Sequence, residues 1–214
     1  MLKRVSAAIA GGAAILAVGL SATPAFAATS LTVKVTGGGN YTATTTKTVL
    51  SDNGVNVTCK STKSAAASKA SGSLPNATTK GNAPVKVGTA AKLAFNNCTG
   101  PLGKVTTKVE ALPYAVNANS VTNSKGETAA TISGTKIAVS TTDCSFLVTG
   151  SAPGFYTNSN HTLTMTSKSP VKGIVKAQLT VSKVNGCLGV VKNGDHPTYT
   201  ATYTVSPKVQ IKST

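Results

Sequence analysis

Residues 198–205 limit what this chain can fold into: Tyr199, Ala201, Tyr203 and Val205 alternate strictly with Thr198, Thr200, Thr202 and Thr204. Successive side chains of a strand point to opposite faces, so this run buries one face of a sheet and leaves the other wet. Leu31, Val33 and Val35 repeat the pattern against Thr32, Lys34 and Thr36, ahead of Gly37-Gly38-Gly39-Asn40. The same reasoning predicts strands around 41–50, 55–64, 84–96, 104–111, 128–140, 144–150, 161–168 and 175–184. Turn formers separate them at Asp52-Asn53-Gly54, Asn97 to Gly103, Ser124-Lys125-Gly126, Pro153-Gly154 and Asn193-Gly194-Asp195. The stretch 61–82, rich in Ser, Ala, Lys and Gly, fits a polar edge strand or a mobile loop.

About ten short strands at this spacing indicate a sandwich or barrel. Composition agrees. Ser, Thr, Ala, Gly and Val dominate, tryptophan is absent, and with five acidic residues and one arginine the chain lacks the makings of long helices. The expected fold is all-β, a single antiparallel β-sandwich-like domain.

Lys3 and Arg4 precede an apolar run from Val5 to about Leu20, and Ala25-Phe26-Ala27 offers a small-residue cleavage site. That is the pattern of a secretory signal peptide over residues 1–27. The run falls short of the roughly 20 apolar residues that a spanning helix needs, and nothing later resembles one. A domain over 28–214 is therefore expected outside the reducing cytosol, secreted or associated with the cell wall. There Cys59, Cys98, Cys144 and Cys187 can oxidise.

The gaps between these cysteines are 39, 46 and 43 positions. Zinc sites use closely spaced pairs, so disulfides are the better reading. Four cysteines allow three connectivities. A faint internal echo favours one of them. Val57-Thr58-Cys59 is followed by Asn96-Asn97-Cys98 and a glycine turn; Ile137 to Cys144 is followed by Asn185-Gly186-Cys187 and another. Two related halves, 28–112 and 113–214, would pair Cys59 with Cys98 and Cys144 with Cys187.

Removing Lys3 and Arg4 from a formal charge of +16 leaves about +14, all of the mature cations being lysines spread from Lys34 to Lys212. A nucleic-acid reader needs arginine forks and aromatic platforms on one patch, and neither is present. Solvated strand faces that discourage edge-to-edge association explain the lysines, with diffuse attraction to anionic cell-envelope polymers as the partner chemistry.

No grouping of residues announces catalysis. His161 sits in a turn and His196 lies between Asp195 and Pro197; no Gly-x-Ser-x-Gly elbow supplies a nucleophile for the half-triad Asp195-His196. The carboxylates Asp52, Glu110, Glu127, Asp143 and Asp195 show neither a paired spacing for glycoside hydrolysis nor the ligand density of a calcium loop. Phe155 and Tyr156, read as part of a Gly154–Asn158 loop, are the one conceivable sugar-stacking pair. No catalytic, cofactor-binding or metal residues are expected; the site residues are the four cysteines.

Several motifs carry a resemblance: Val57-Thr58-Cys59, Asn97-Cys98-Thr99-Gly100-Pro101-Leu102-Gly103, Ala111-Leu112-Pro113-Tyr114, Gly186-Cys187-Leu188-Gly189, and Asn193-Gly194-Asp195-His196-Pro197 through Pro207. Together they make the chain resemble a family of small secreted, four-cysteine all-β proteins of unassigned function from high-GC Gram-positive bacteria. It is more loosely similar to surface proteins named alkane-oxidation protein activators, which are linked with adhesion and biofilm. Tyr114 stands where relatives often carry tryptophan. The resemblance implies an envelope role and brings no catalytic or binding residues. The function expected is a non-catalytic secreted or envelope-associated protein, with surface binding or adhesion as its role. The alternatives are a secreted hydrolase or hydrolase inhibitor, and a surface-polymer subunit assembled by strand addition.

Overall fold

The computed structural model describes residues 30–168, 171 and 178–214. The signal segment and the first residues of the strand expected at 175–184 lie outside them. The first half of the chain forms β1 (Ser30–Thr36), β2 (Gly39–Thr45), β3 (Lys47–Asp52), β4 (Val55–Lys60), β5 (Ser68–Leu74), β6 (Ala77–Asn82), β7 (Val85–Phe95), β8 (Cys98–Gly100) and β9 (Gly103–Val109). Then follow β10 (Tyr114–Ala118), β11 (Glu127–Ser140), β12 (Cys144–Thr157), β13 (Thr162–Met165), β14 (Leu179–Gly186), a 3-10 turn (Cys187–Gly189), β15 (Thr198–Ser206) and β16 (Gln210–Ser213). The fold is all-β, every strand pairing is antiparallel, and among the described residues no helix is long and apolar enough to cross a membrane.

The two 14-residue strands β11 and β12 pair along nearly their whole length. Each has more edge than any one neighbour can cover, so each takes two. β12 pairs with β14 through Cys144–Gly150 and with β13 through Gly154–Thr157. β11 pairs with β10 at Ala130–Ser133 and with β9 at Ser140–Ile137. From β11 one branch runs β10, β7, β5, β2 and another runs β9, β8, β4, β3, and both end on the same edge of β15. The opposite edge of β15 meets β13, which returns to β12. The large sheet therefore closes on itself twice around one apolar interior, which leaves β14 at its edge and covers most of the edges that a two-layer sandwich exposes.

A second, three-stranded sheet, ordered β16, β1, β6, covers the end where β11 begins and β12 finishes. Leu31, Val33 and Val35 point inward and are at most 3% exposed, and Ile211 lies beside them in the core. The alternation in β1 and β15 is as the sequence predicts: Ala201, Tyr203 and Val205 are buried, while Thr200, Thr202 and Thr204 are exposed.

Other expectations need correction. The strand placed at 41–50 divides at Thr46 into β2 and β3, which go to different branches. Region 61–82 divides: 61–67 is a connection and β6 is the polar edge strand expected there, but β5 is a central strand between β2 and β7. Small residues make β5 fit, because a Cβ at Gly72 would overlap the Thr89 carbonyl of β7. Its polarity is satisfied internally, since fully buried Ser68 accepts a hydrogen bond from Tyr203 Oη at 2.9 Å. Pro153-Gly154 does not break β12. The partner strand on that edge changes from β14 to β13 between Gly150 and Gly154, so the N–H that Pro153 lacks falls where no ladder bond is required. A Cβ at Gly154 would overlap the Thr164 carbonyl, which explains the glycine.

Candidate functional site

The disulfides are Cys59–Cys98 and Cys144–Cys187, the pairing the internal echo favours. Cys59 and Cys98 are directly opposed on β4 and β8; Cys144 opposes Gly186, one residue before Cys187. The repeated Asn and glycine have a physical meaning. In each half a residue with positive φ, Asn97 (49°) or Gly186 (73°), turns the chain immediately before the second cysteine. These are residue types that tolerate the left-handed region. At Gly186 a Cβ would also overlap the Asp143 carbonyl.

The Leu112-Pro113-Tyr114 motif is an internal latch. Tyr114 is fully buried, and its hydroxyl lies 2.6 Å from the Lys136 carbonyl and 2.8 Å from that of Glu110 while accepting the Lys136 N–H at 3.0 Å. The Phe155–Tyr156 pair also belongs to the framework rather than to a loop. Both lie in β12, and Tyr156 is buried with its hydroxyl donating to the Val209 carbonyl at 2.7 Å. Tyr199 and Tyr203 hydroxyls are 2.6 Å apart in the chain that ends on Ser68, and burial pushes both pKa values up.

The tertiary structure brings together Asp52, at the end of β3, and Asp195, in the turn before β15. Their carboxyls lie near enough to interact, and a hydrogen bond between them forms only while one of them is protonated. Partial burial, then that hydrogen bond and the Asp195 charge, push Asp52 up to about 6, against a smaller lowering by His196. The half-triad does not assemble. Asp195 Oδ2 accepts the Lys192 N–H at 2.7 Å, and His196 Nδ1 donates to the Leu179 carbonyl at 3.1 Å. His161 is likewise engaged with the backbone, at the Val209 carbonyl, 3.1 Å away. Among the described residues no group of three or more His, Cys, Asp or Glu side chains could hold a metal ion.

This pair predicts a pH dependence. The folded Asp52 holds a proton that the unfolded chain releases at the ordinary value of 3.8, so stability falls as pH rises from about 4 to about 6. Asp52→Asn, whose amide donates to Asp195 at any pH, is expected to raise Tm at pH 7 and change it little at pH 4. Water screens a half-exposed pair, so the gain at pH 7 is about 1 kcal/mol or less. Thermal melts of both proteins across pH 4–7 check this; a pH-independent offset would refute the shared proton.

Lysines distant in sequence also meet. Lys34 of β1 is directly opposite Lys212 of β16, and Lys80 of β6 pairs with Thr32, diagonal to Lys34. All three are exposed on the outer face of the small sheet, whose other face is in the core. Lys47 and Lys60 form a second directly opposed pair, between β3 and β4. Acidic partners are scarce: the ion pairs join Glu110 to Lys136 (3.3 Å) and Lys108 (3.9 Å), away from these groups. Spacing along the chain could not reveal such ladders, because they depend on the register of β1 against both its neighbours. Beside Lys212, a shallow polar cleft contains Lys125, His161, Gln210 and Asn158.

The edges of the small sheet differ. Asn158 imitates a neighbouring strand for β16, accepting the Ile211 N–H through Oδ1 and donating through Nδ2 to the Ile211 carbonyl, both at 2.8 Å. Thr122 does the same for Ser213 with its side-chain oxygen and backbone N–H. The outer edge of β6 has no strand partner among the described residues.

No protein-family model, no curated protein and no solved structure matches this chain, so its assignment rests on the geometry of its own residues.

Proposed function

We propose that the protein is a non-catalytic, exported component of the cell envelope that associates with anionic envelope polymers through its lysine-bearing sheet faces. The observation that carries this reading is the cross-strand placement of Lys34, Lys212 and Lys80 on one exposed face, without a carboxylate partner among the described residues. Like charges directly opposed on a sheet repel, a cost that a polyanion lying across the strands would relieve. Closed disulfides in both halves fit an oxidising compartment, and the signal-like residues 1–27 supply a route there. Assembly by strand addition would use the edge of β6, where Lys80 works against a second chain docking in register.

Attraction of this kind is spread over many lysines and screened by salt, the Debye length being about 8 Å at physiological ionic strength. Co-sedimentation of the mature protein with purified wall polymer of the polyglycerol-phosphate type should therefore weaken steeply as salt rises. Lys34→Gln alone should weaken it about twofold, and the triple change at Lys34, Lys80 and Lys212 more than a triple change at Lys69, Lys92 and Lys104. Salt-insensitive binding, or equal loss from both triple variants, would overturn the proposal.

A further inference from the structure

The interior enclosed by the large sheet is not fully packed. It retains a cavity of about 140 Å³ lined almost wholly by apolar side chains, among them Leu74, Val116, Ile132, Leu163 and Met165. Interiors normally pack to crystal density, and an apolar space of this order stays dry and accommodates a benzene-sized molecule. Alanines at 43, 70, 90, 118, 129, 130 and 152 on the surrounding strands leave it open. Larger aliphatic residues would fill it at no cost to the strand pattern.

One wall is polar in an informative way. The chain has five tyrosines. Tyr114, Tyr156, Tyr199 and Tyr203 all hydrogen-bond through their hydroxyls. Tyr41 is the exception: it lines the cavity, is only 8% exposed, and its hydroxyl has no hydrogen-bond partner among the described residues. Burial alone pushes its pKa up to about 12, so it stays a neutral donor. Among the described residues the fully buried polar atoms without a partner are Asn119 Nδ2 and Ser213 Oγ, so the Tyr41 hydroxyl keeps accessible surface and is open to an acceptor from outside the chain.

We infer that the interior is a binding site for one small apolar molecule, of benzene or cyclohexane size, bearing a single carbonyl or ether oxygen that accepts the Tyr41 hydroxyl. The apolar walls supply affinity, and Tyr41 selects the acceptor. This site is separate from the lysine faces and does not depend on them.

Met165 makes the test direct, because it is the one methionine of the mature chain and lines the cavity at 2% exposure. Its methyl resonance should shift on titration of the mature protein with benzene and with cyclohexanone, after equilibration. Cyclohexanone should bind tighter than methylcyclohexane, and Tyr41→Phe should reduce cyclohexanone affinity about three- to tenfold, the worth of one hydrogen bond, while leaving methylcyclohexane unchanged. Tyr41→Phe retains the ring, so the fold is kept. An unshifted Met165 methyl at the solubility limit of both probes would overturn the site. Equal losses for ketone and hydrocarbon would overturn the role of Tyr41.

Discussion

Replacing Cys59 and Cys98 together by serine is expected to lower Tm by about 10 °C, and replacing Cys144 and Cys187 by nearly the same amount. The disulfides close loops with sequence separations of 39 and 43. On the chain-entropy model each restricts the unfolded state by about 4 kcal/mol, and because the dependence on loop length is logarithmic the two differ by about 0.1 kcal/mol. For a domain of this size 1 kcal/mol corresponds to about 2–4 °C, and 4 kcal/mol is a large share of a typical 5–15 kcal/mol stability. The local consequences should differ. Among the described residues β14 has a single strand neighbour, β12, and Cys144–Cys187 fastens its far end. β8 has three residues but lies between β4 and β9. Hydrogen exchange should therefore quicken through the end of β14 that leads into Cys187 in the Cys144/Cys187 variant, and stay slow around β8 in the Cys59/Cys98 variant. Calorimetry and exchange measured on the two double mutants check both statements; unchanged melting would show that the bonds bear no part of the stability.

Tyr114→Ala is expected to cost about 3–5 kcal/mol, enough to leave the domain largely unfolded at moderate temperature. The ring is fully buried at the start of β10, between β7 and β11, and its removal opens a void in the sheet's interior. Tyr114→Phe separates packing from hydrogen bonding. It keeps the ring but strands the Lys136 N–H and the Glu110 carbonyl, while the Lys136 carbonyl keeps the Glu110 N–H at 2.8 Å, at a cost of about 1–3 kcal/mol. Chemical denaturation of the two variants should give that order. A phenylalanine variant as stable as the parent would mean that the hydroxyl contacts are dispensable.

The disulfide pairing and the Tyr114 latch were legible to different degrees for a physical reason. The pairing followed from a local repeat, a left-handed Asn or Gly turning the chain before the second cysteine, and local backbone requirements leave marks on nearby residues. The latch did not, since the carbonyl that Tyr114 reaches at Lys136 is 22 positions away and any residue has a carbonyl there. β5 was hidden for a similar reason. Before Leu74 its inward face is made of Ser68, Ala70 and Gly72, small residues that give no hydrophobic signal and fit because Tyr203 satisfies Ser68 and β7 packs closely on Gly72.

The strand class and the buried faces of β1 and β15 could be read from the residues alone, and an internal echo favoured the disulfide pairing without excluding the other two. Side-chain alternation and turn chemistry act over a few residues and need no partner to be read. Chain folding in three dimensions set the rest: that the sheet closes twice through β11, β12 and β15, that Asp52 meets Asp195, that Lys34 faces Lys212, and that Tyr41 lines an apolar cavity. Each of those depends on register and closure among strands far apart in the chain, where a one-residue slip would turn every side chain to the other face.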